Sequence, residues 1–279
     1  MQIRDYSLPS GWYPREKSAV SAFLSDFDNK KRSSRAVIMP HAGWYYSGRT
    51  AALAAASLDP QPETVVVLGG HLGAGNPPLF AMEDAVKTPF GCMPIDTALR
   101  SALIKEIGGA EDQYRDNTVE VILPMAQYFL PKADLLWLRL PSDIKSFERG
   151  KLLSQIAAKL NKKIAVCGST DLTHYGRSYG FSPQGGGERA LRWVREVNDA
   201  AFIKAVESGD SAEVLRRAEE DSSSCSAGAV LGAMGFAEAE GLQKARLLAY
   251  ATSADVNEDG DVPDSFVGYA AFAFEEKNS

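Results

Sequence analysis

This chain of 279 residues contains only three histidines, and each sits where the backbone must turn. His41 lies in Pro40-His41-Ala42-Gly43-Trp44, directly after the apolar run Ala36-Val37-Ile38-Met39. His71 lies in Gly69-Gly70-His71-Leu72-Gly73, after Thr64-Val65-Val66-Val67-Leu68. His174 lies in Ser169-Thr170-Asp171-Leu172-Thr173-His174-Tyr175-Gly176, downstream of the apolar stretch from Lys163 to Cys167. Short β-branched apolar runs of this kind read as buried strands, so the imidazoles follow strand carboxyl ends, where open α/β sheets hold their chemistry. The nearby glycines permit sharp turns and leave room beside each ring. A lone histidine in an apolar setting is more often a hydrogen-bonded core residue than a ligand. Three in the same kind of setting point instead to one pocket, provided that the three strands are neighbours.

Cys225 is the fourth candidate. It stands in the small-residue run Ser222-Ser223-Ser224-Cys225-Ser226-Ala227-Gly228, ahead of an apolar helical pattern. A thiol near a helix N-terminus has a lowered pKa and can act as a nucleophile or a metal ligand; the alternative is a small buried packing residue. Asp171, three residues before His174, can orient that imidazole or accept a proton, or merely close a turn. Glu120 is a weaker inward-facing candidate. Cys167 reads as packing inside a strand, and Cys92, in a turn after Phe90-Gly91, has no assigned role.

The elements that must position these residues alternate. Helical patterns cover 16–27 and 50–58, 96–107 with Asp96 as N-cap, a stretch ending at Phe129, and 147–160. Strand patterns cover 35–39, 64–68, 85–88, 133–140 and 163–167. From Glu188 to about Gly241 the chain reads as helical, broken at Gly209 and at the serine run. Two strands, 245–252 and 266–274, close the chain around a polar turn at 257–263. This order predicts one α/β domain over residues 1–279, with a central, mostly parallel sheet flanked by helices and a late antiparallel pair.

Composition sets limits. Hydrophobic residues are 45% and charged residues 24%, ordinary for a globular chain, and the formal net charge is −6 without a basic stretch, which argues against nucleic acid as a partner. No apolar run is long enough to span a bilayer, and the amino terminus has no signal-like apolar core, so no membrane association is expected. Three widely spaced cysteines without a CxxC pair fit a reducing, cytoplasmic setting. The glycine-rich run after Leu68 lacks the spacing of a dinucleotide fingerprint and a following Lys-Ser/Thr, and no G-x-S-x-G elbow is present, which disfavours nucleotide binding there and a serine hydrolase.

Taken together, Pro40-His41-Ala42-Gly43-Trp44 with Tyr46-Ser47-Gly48, Gly69-Gly70-His71, Ser169 through Gly176, and Tyr250-Ala251-Thr252-Ser253 with Ser265-Phe266-Val267-Gly268-Tyr269-Ala270 resemble the Memo family, called AmmeMemoRadiSam system protein B in prokaryotes. That family is similar in fold to class III extradiol ring-cleavage dioxygenases. The resemblance implies a mononuclear metal, iron or copper with zinc as a further choice, held by His41, His71 and Cys225, with His174 as acid/base and Asp171 in the pocket. It also implies an association with radical-SAM and AMMECR-type proteins. This chain departs from the family pattern in two places. Asp116-Asn117 stands where the family commonly has Glu-His, which removes a pocket histidine. Ser226-Ala227-Gly228 follows Cys225 where the family usually continues with Gly and a basic residue.

Two imidazoles and one anionic ligand leave coordination positions open, as in non-haem iron oxygenases, while a thiolate shifts the preference towards copper or zinc and invites oxidation. Three functions follow as expectations: metal-dependent redox chemistry on a small molecule, a non-catalytic module that binds a peptide or partner through Trp44, Tyr45 and Tyr46, and a zinc-dependent hydrolase.

Overall fold

The computed structural model describes residues 1–30, 32–257 and 260–276. Seven strands precede residue 130: β1 (Ile3–Arg4), β2 (Ala36–Met39), β3 (Thr64–Gly69), β4 (Leu79–Phe80), β5 (Ala85–Thr88), β6 (Gly91–Pro94) and β7 (Ala110–Glu111). Five follow: β8 (Asp134–Arg139), β9 (Ile164–Ser169), β10 (His174–Gly176), β11 (Lys244–Thr252) and β12 (Ser265–Glu275). Strands β1, β5 and β6 form a small separate sheet, and the other nine form the main one.

The centre of the main sheet is parallel, in the order β2-β9-β3-β8. Antiparallel pairs flank it, β4 against β8 and β12 against β2, β10 and β11, with β7 parallel to β4 at one edge. The expected parallel sheet is thus the middle of a mixed one. Residue alternation explains why. Val37, Met39, Val65, Val67, Leu135, Trp137 and Cys167 point into one apolar cluster. Their neighbours Ala36, Ile38, Val66, Leu68, Leu136, Leu138 and Val166 point into another. Strands apolar on both faces need helices on both, which is the setting of parallel strands.

The helix Trp44–Ser57 covers the first face. It begins six residues earlier than its apolar pattern indicates, because Gly43 ends the preceding turn and Trp44 is buried, its indole N–H donating to the Val121 carbonyl. Helices Lys145–Lys159 and Ala227–Ala239 cover the second face. The chain from Gly187 to Glu220 is helical, as expected, but contains a π-helical turn at Val194–Asn198. The short strands β1, β4, β6, β7 and β10 carry too few residues for a period to show in the sequence. Of the polar turn expected at 257–263, residues 258 and 259 lie outside those described. No helix among the described residues is long and apolar enough to cross a membrane.

The two helices on the second face touch through glycine. A Cβ on Gly150 would collide with the Gly232 carbonyl and come within 2.8 Å of the Phe236 amide, and one on Gly235 would meet the Phe147 carbonyl. Gly150→Ala is therefore expected to lower the unfolding free energy by about 1–3 kcal/mol, the usual cost of overpacking. Gly186→Ala, at a position with open space around it and extended backbone, should be close to neutral. Urea midpoints of the two variants check this.

Candidate metal centre

The register of the central strands sets the site. Met39 lies beside Ser169, and Leu68 beside Gly168. His41 follows Met39 by two residues, Asp171 follows Ser169 by two, and His71 follows Leu68 by three. All three side chains therefore leave the sheet at one level, on the carboxyl side, from adjacent strands. The fourth group arrives from the other direction. Cys225 precedes the Ala227–Ala239 helix, which packs on β9, and its backbone N–H donates to the Asp171 carbonyl at 3.2 Å. Gly70 makes this approach possible, since a Cβ there would collide with Ser226.

One ligand-type atom from each of His41, His71 and Cys225 lies within 4.8 Å of the other two, a grouping that can hold a metal ion. The His41 Nε2 is 3.3 Å from the Cys225 Sγ, and the two imidazoles stand edge to face with centroids 4.9 Å apart. Each imidazole is fixed through its other nitrogen. The His41 Nδ1 is hydrogen-bonded with the Ser169 hydroxyl at 2.7 Å, and the His71 Nδ1–H donates to Asp116 Oδ2 at 3.0 Å. Both Nε2 atoms are thereby left for a shared ion, the arrangement that hydrogen-bonded partners create around metal-binding histidines. His71 takes up this place with φ at 55°, in the sparsely used left-handed region.

The charges suit a cation. Burial raises the Cys225 thiol pKa, but the His41 and His71 imidazoles outweigh it and hold the group well below the ordinary thiol range. Burial lowers the His71 pKa, while the hydrogen bonds to Asp116 and Cys225 lift it to about 10. A thiolate between two imidazoles would complement a divalent ion bound by the three groups. The Asp171 N–H also donates to the Cys225 sulfur, at 3.3 Å.

Asp171 is buried, and its Oδ1 accepts the His41 amide at 2.7 Å and the Ala42 amide at 3.3 Å. Its other oxygen is 3.9 Å from the His41 Nε2. Burial pushes the Asp171 pKa up, against the pull of His41. His174 opens β10 and lies on the wall of the same pocket, its Nδ1–H donating to the Leu172 carbonyl at 3.1 Å. Its ring meets Tyr179 edge to face at 4.9 Å. The pocket has a volume of about 850 Å³ and is walled by Trp12, Tyr45, Tyr46, Tyr179 and Tyr269 besides the histidines.

Glu120 does not face this site. Its buried carboxylate accepts the Ser7 and Leu8 amides and the Tyr13 hydroxyl, anchoring the amino-terminal segment that carries Trp12 to the pocket rim. Cys167 is buried in β9, and burial alone pushes its thiol up to about 12, as fits packing. Cys92 is exposed in β6, outside this pocket. Ser169, Asp116, Asn117 and Arg139 were not singled out as site residues by the sequence. Asn117 donates to the His41 carbonyl at 2.9 Å and lines the pocket. Arg139 carried a signal: it is a cation directly after the apolar run Leu135-Leu136-Trp137-Leu138 of β8.

Two histidines at the carboxyl edge of an α/β sheet, beside a cysteine ahead of a covering helix, form a group that could hold a metal ion, and comparison with known proteins places the chain more closely. Residues 4–273 match the family described as Memo-like protein, and the chain belongs to that family. It is 28% identical to a MEMO1 family protein of Pyrococcus horikoshii, over 96% of this chain and 98% of that one. It is 31% identical to one from Methanopyrus kandleri, over 85% of this chain and 82% of that one. It is 30% identical to one from Methanosarcina barkeri, over 98% of this chain and 100% of that one.

Beneath the His174 loop, Asp199 follows the π-helical turn, fully buried. It accepts the Thr173 amide at 3.1 Å and the Tyr250 hydroxyl at 2.7 Å. Burial raises its pKa to about 6, beyond what these hydrogen bonds offset. An unfolded Asp titrates near 4, so between about pH 4 and 6 the native state binds more protons than the unfolded one. Stability is highest below that window, falls as pH rises through it, and is level above it as far as this group is concerned. Asp199→Asn should flatten that slope, and urea midpoints from pH 4 to 7 for both proteins measure the difference.

Proposed function

We propose that this protein holds one metal ion between His41, His71 and Cys225 and carries out metal-dependent redox chemistry on a small molecule bound in the adjoining pocket. The grouping of those three donors, with His41 and His71 on the wall of an aromatic-lined cavity of about 850 Å³, is the observation that carries this reading.

The residues divide the work. His41 and His71 present Nε2 because Ser169 and Asp116 hold their Nδ1 atoms. Cys225 contributes the anionic ligand, and three protein donors leave positions for a substrate atom. When bound, iron or copper supplies one-electron chemistry and open coordination sites, the thiolate favouring the softer metal. Asp171 fixes the His41 backbone through two amides. His174, with Nδ1–H committed to the Leu172 carbonyl, keeps Nε2 as the nitrogen that gives or takes a proton at the substrate. Trp12, Tyr46 and Tyr179 provide flat surfaces for an organic ligand and exclude water from it.

A second reading rests on a separate observation. Tyr45 and Tyr46 are 70% and 49% exposed on the first turn of a rigid helix, edge to face at 5.0 Å, an arrangement suited to anchoring a peptide. In that case binding survives His41→Ala and is lost on Tyr45→Ala/Tyr46→Ala.

The deciding measurement is metal content by mass spectrometry, on protein purified without oxygen, for wild type and Cys225→Ser. Near-stoichiometric iron or copper in the wild type, diminished in the variant, is the expected result. Zinc alone would move the assignment to a hydrolase, in which His174 handles a metal-activated water. No uptake of any metal, even after reconstitution, would overturn the metalloprotein reading and leave peptide binding.

A further inference from the structure

His71 differs from His41 in how it is held. His41 has its backbone bound by Asp171 and its ring by Ser169, both from the chain that continues β9. His71 stands beyond the end of β3, with φ at 55° and a side chain 33% exposed, so strand pairing does not fix it. Behind it lies a buried ionic network. The Arg139 Nε donates to the Gly70 carbonyl at 2.9 Å, the bond that locks the residue immediately before His71. The Arg139 Nη2 donates to Asp116 Oδ2 at 3.1 Å, the same oxygen that accepts the His71 Nδ1–H. The Arg139 Nη1 donates to Asp112 Oδ1 at 3.1 Å, and the other Asp112 oxygen accepts the Trp137 indole at 2.8 Å.

One guanidinium therefore holds both the main chain leading to His71 and the carboxylate that orients its ring. The geometry points to Arg139 as a positioning residue for the metal-type centre, acting on His71 through Asp116 and Gly70. The planar fork matters. Three donors in fixed directions meet three acceptors, while Lys offers a single point charge on a flexible stem and cannot span them. The side chains of Arg139 and Asp112 are 4% and 0% exposed. A buried ion pair of this kind stabilises little compared with apolar residues of the same volume, so its value lies in geometry. Asp116 also accepts the Thr118 amide at 2.8 Å, which fixes the carboxylate from its far side. Of the candidate ligands, the side chains of this network are hydrogen-bonded to His71, while the adjoining Asn117 donates to the His41 carbonyl at 2.9 Å.

This inference rests on the metal-site reading for its consequence but not for its geometry, and two measurements separate them. Co(II) titration, with a chelator as competitor, gives affinity. The thiolate-to-metal absorption band reports Cys225, and the ligand-field bands report coordination. Independently, the downfield proton resonance of a hydrogen-bonded His71 Nδ1–H, in metal-free protein labelled with nitrogen-15, reports the ring's position.

Asp116→Asn and Arg139→Lys are each expected to weaken Co(II) binding by about 10–100-fold, the range for loss of a hydrogen-bonded partner behind a metal ligand. The thiolate band should remain while the ligand-field bands change, and the His71 resonance should move upfield or vanish. Asp116→Asn preserves shape and carries the test if Arg139→Lys does not fold. Folded variants with wild-type affinity, bands and resonance would overturn the assignment. If the wild type takes up no Co(II), the metal-site reading fails. The positioning role is then decided by the resonance alone: loss in the variants supports it, and persistence overturns it.

Discussion

Everything at the candidate centre depends on the placement of β9 between β2 and β3, all parallel and in step. Parallel pairing in this register brings three carboxyl ends to one height, and each strand then contributes one polar residue to the same space. A shift of one residue in either pairing would send every side chain of that strand to the opposite face and remove its histidine or aspartate from the pocket. The apolar alternation that fixes the register is therefore also what assembles His41, Asp171 and His71. Stability and site geometry share one cause.

The thiol depends on a second constraint, close packing on the other face. The Ala227–Ala239 helix is rich in Gly and Ala, and a Cβ on Gly168 would come within 2.8 Å of the Ala229 carbonyl, which shows how near the helix lies to β9. Gly228 sits against the Pro141 and Leu140 carbonyls in the same way. These small residues let the helix start descend towards the sheet edge until Cys225 stands beside His41. Side chains of ordinary size would hold the thiol away from both imidazoles.

Around the centre, buried polar groups are matched to distinct tasks. Glu120 ties down the amino-terminal segment, Asp199 the loop leading to His174, Asp171 the backbone at His41, and Asp116 the ring of His71. Each is buried or nearly so, and each accepts at least two hydrogen bonds, which offset the cost of desolvation. A residue of one chemical type thus serves four structural roles, and only the one it touches distinguishes them.

The sequence by itself determined the two-sided apolar strands, the helices between them, the position of His41 and His71 after strand ends, and the family to which the chain belongs, because these are local patterns of period and motif. It also marked Cys225, as a thiol ahead of a small-residue helix. Tertiary structure alone decided which carboxylates serve the centre. Asp116 and Glu120 are four residues apart in one short segment. The helical turn between them directs Asp116 to His71 and Glu120 to the amino-terminal segment. Arg139, too, needed the fold. Its charge stood out after the apolar run 135–138, but the three acceptors that explain it, at Gly70, Asp112 and Asp116, lie 23 to 69 residues away in sequence and meet it only through the pairing of β3 with β8 and the packing of the segment after β7. Hydrogen bonds between distant segments leave no periodic trace in the chain, and for that reason the candidate ligands were legible in the sequence while the residues that hold them were not.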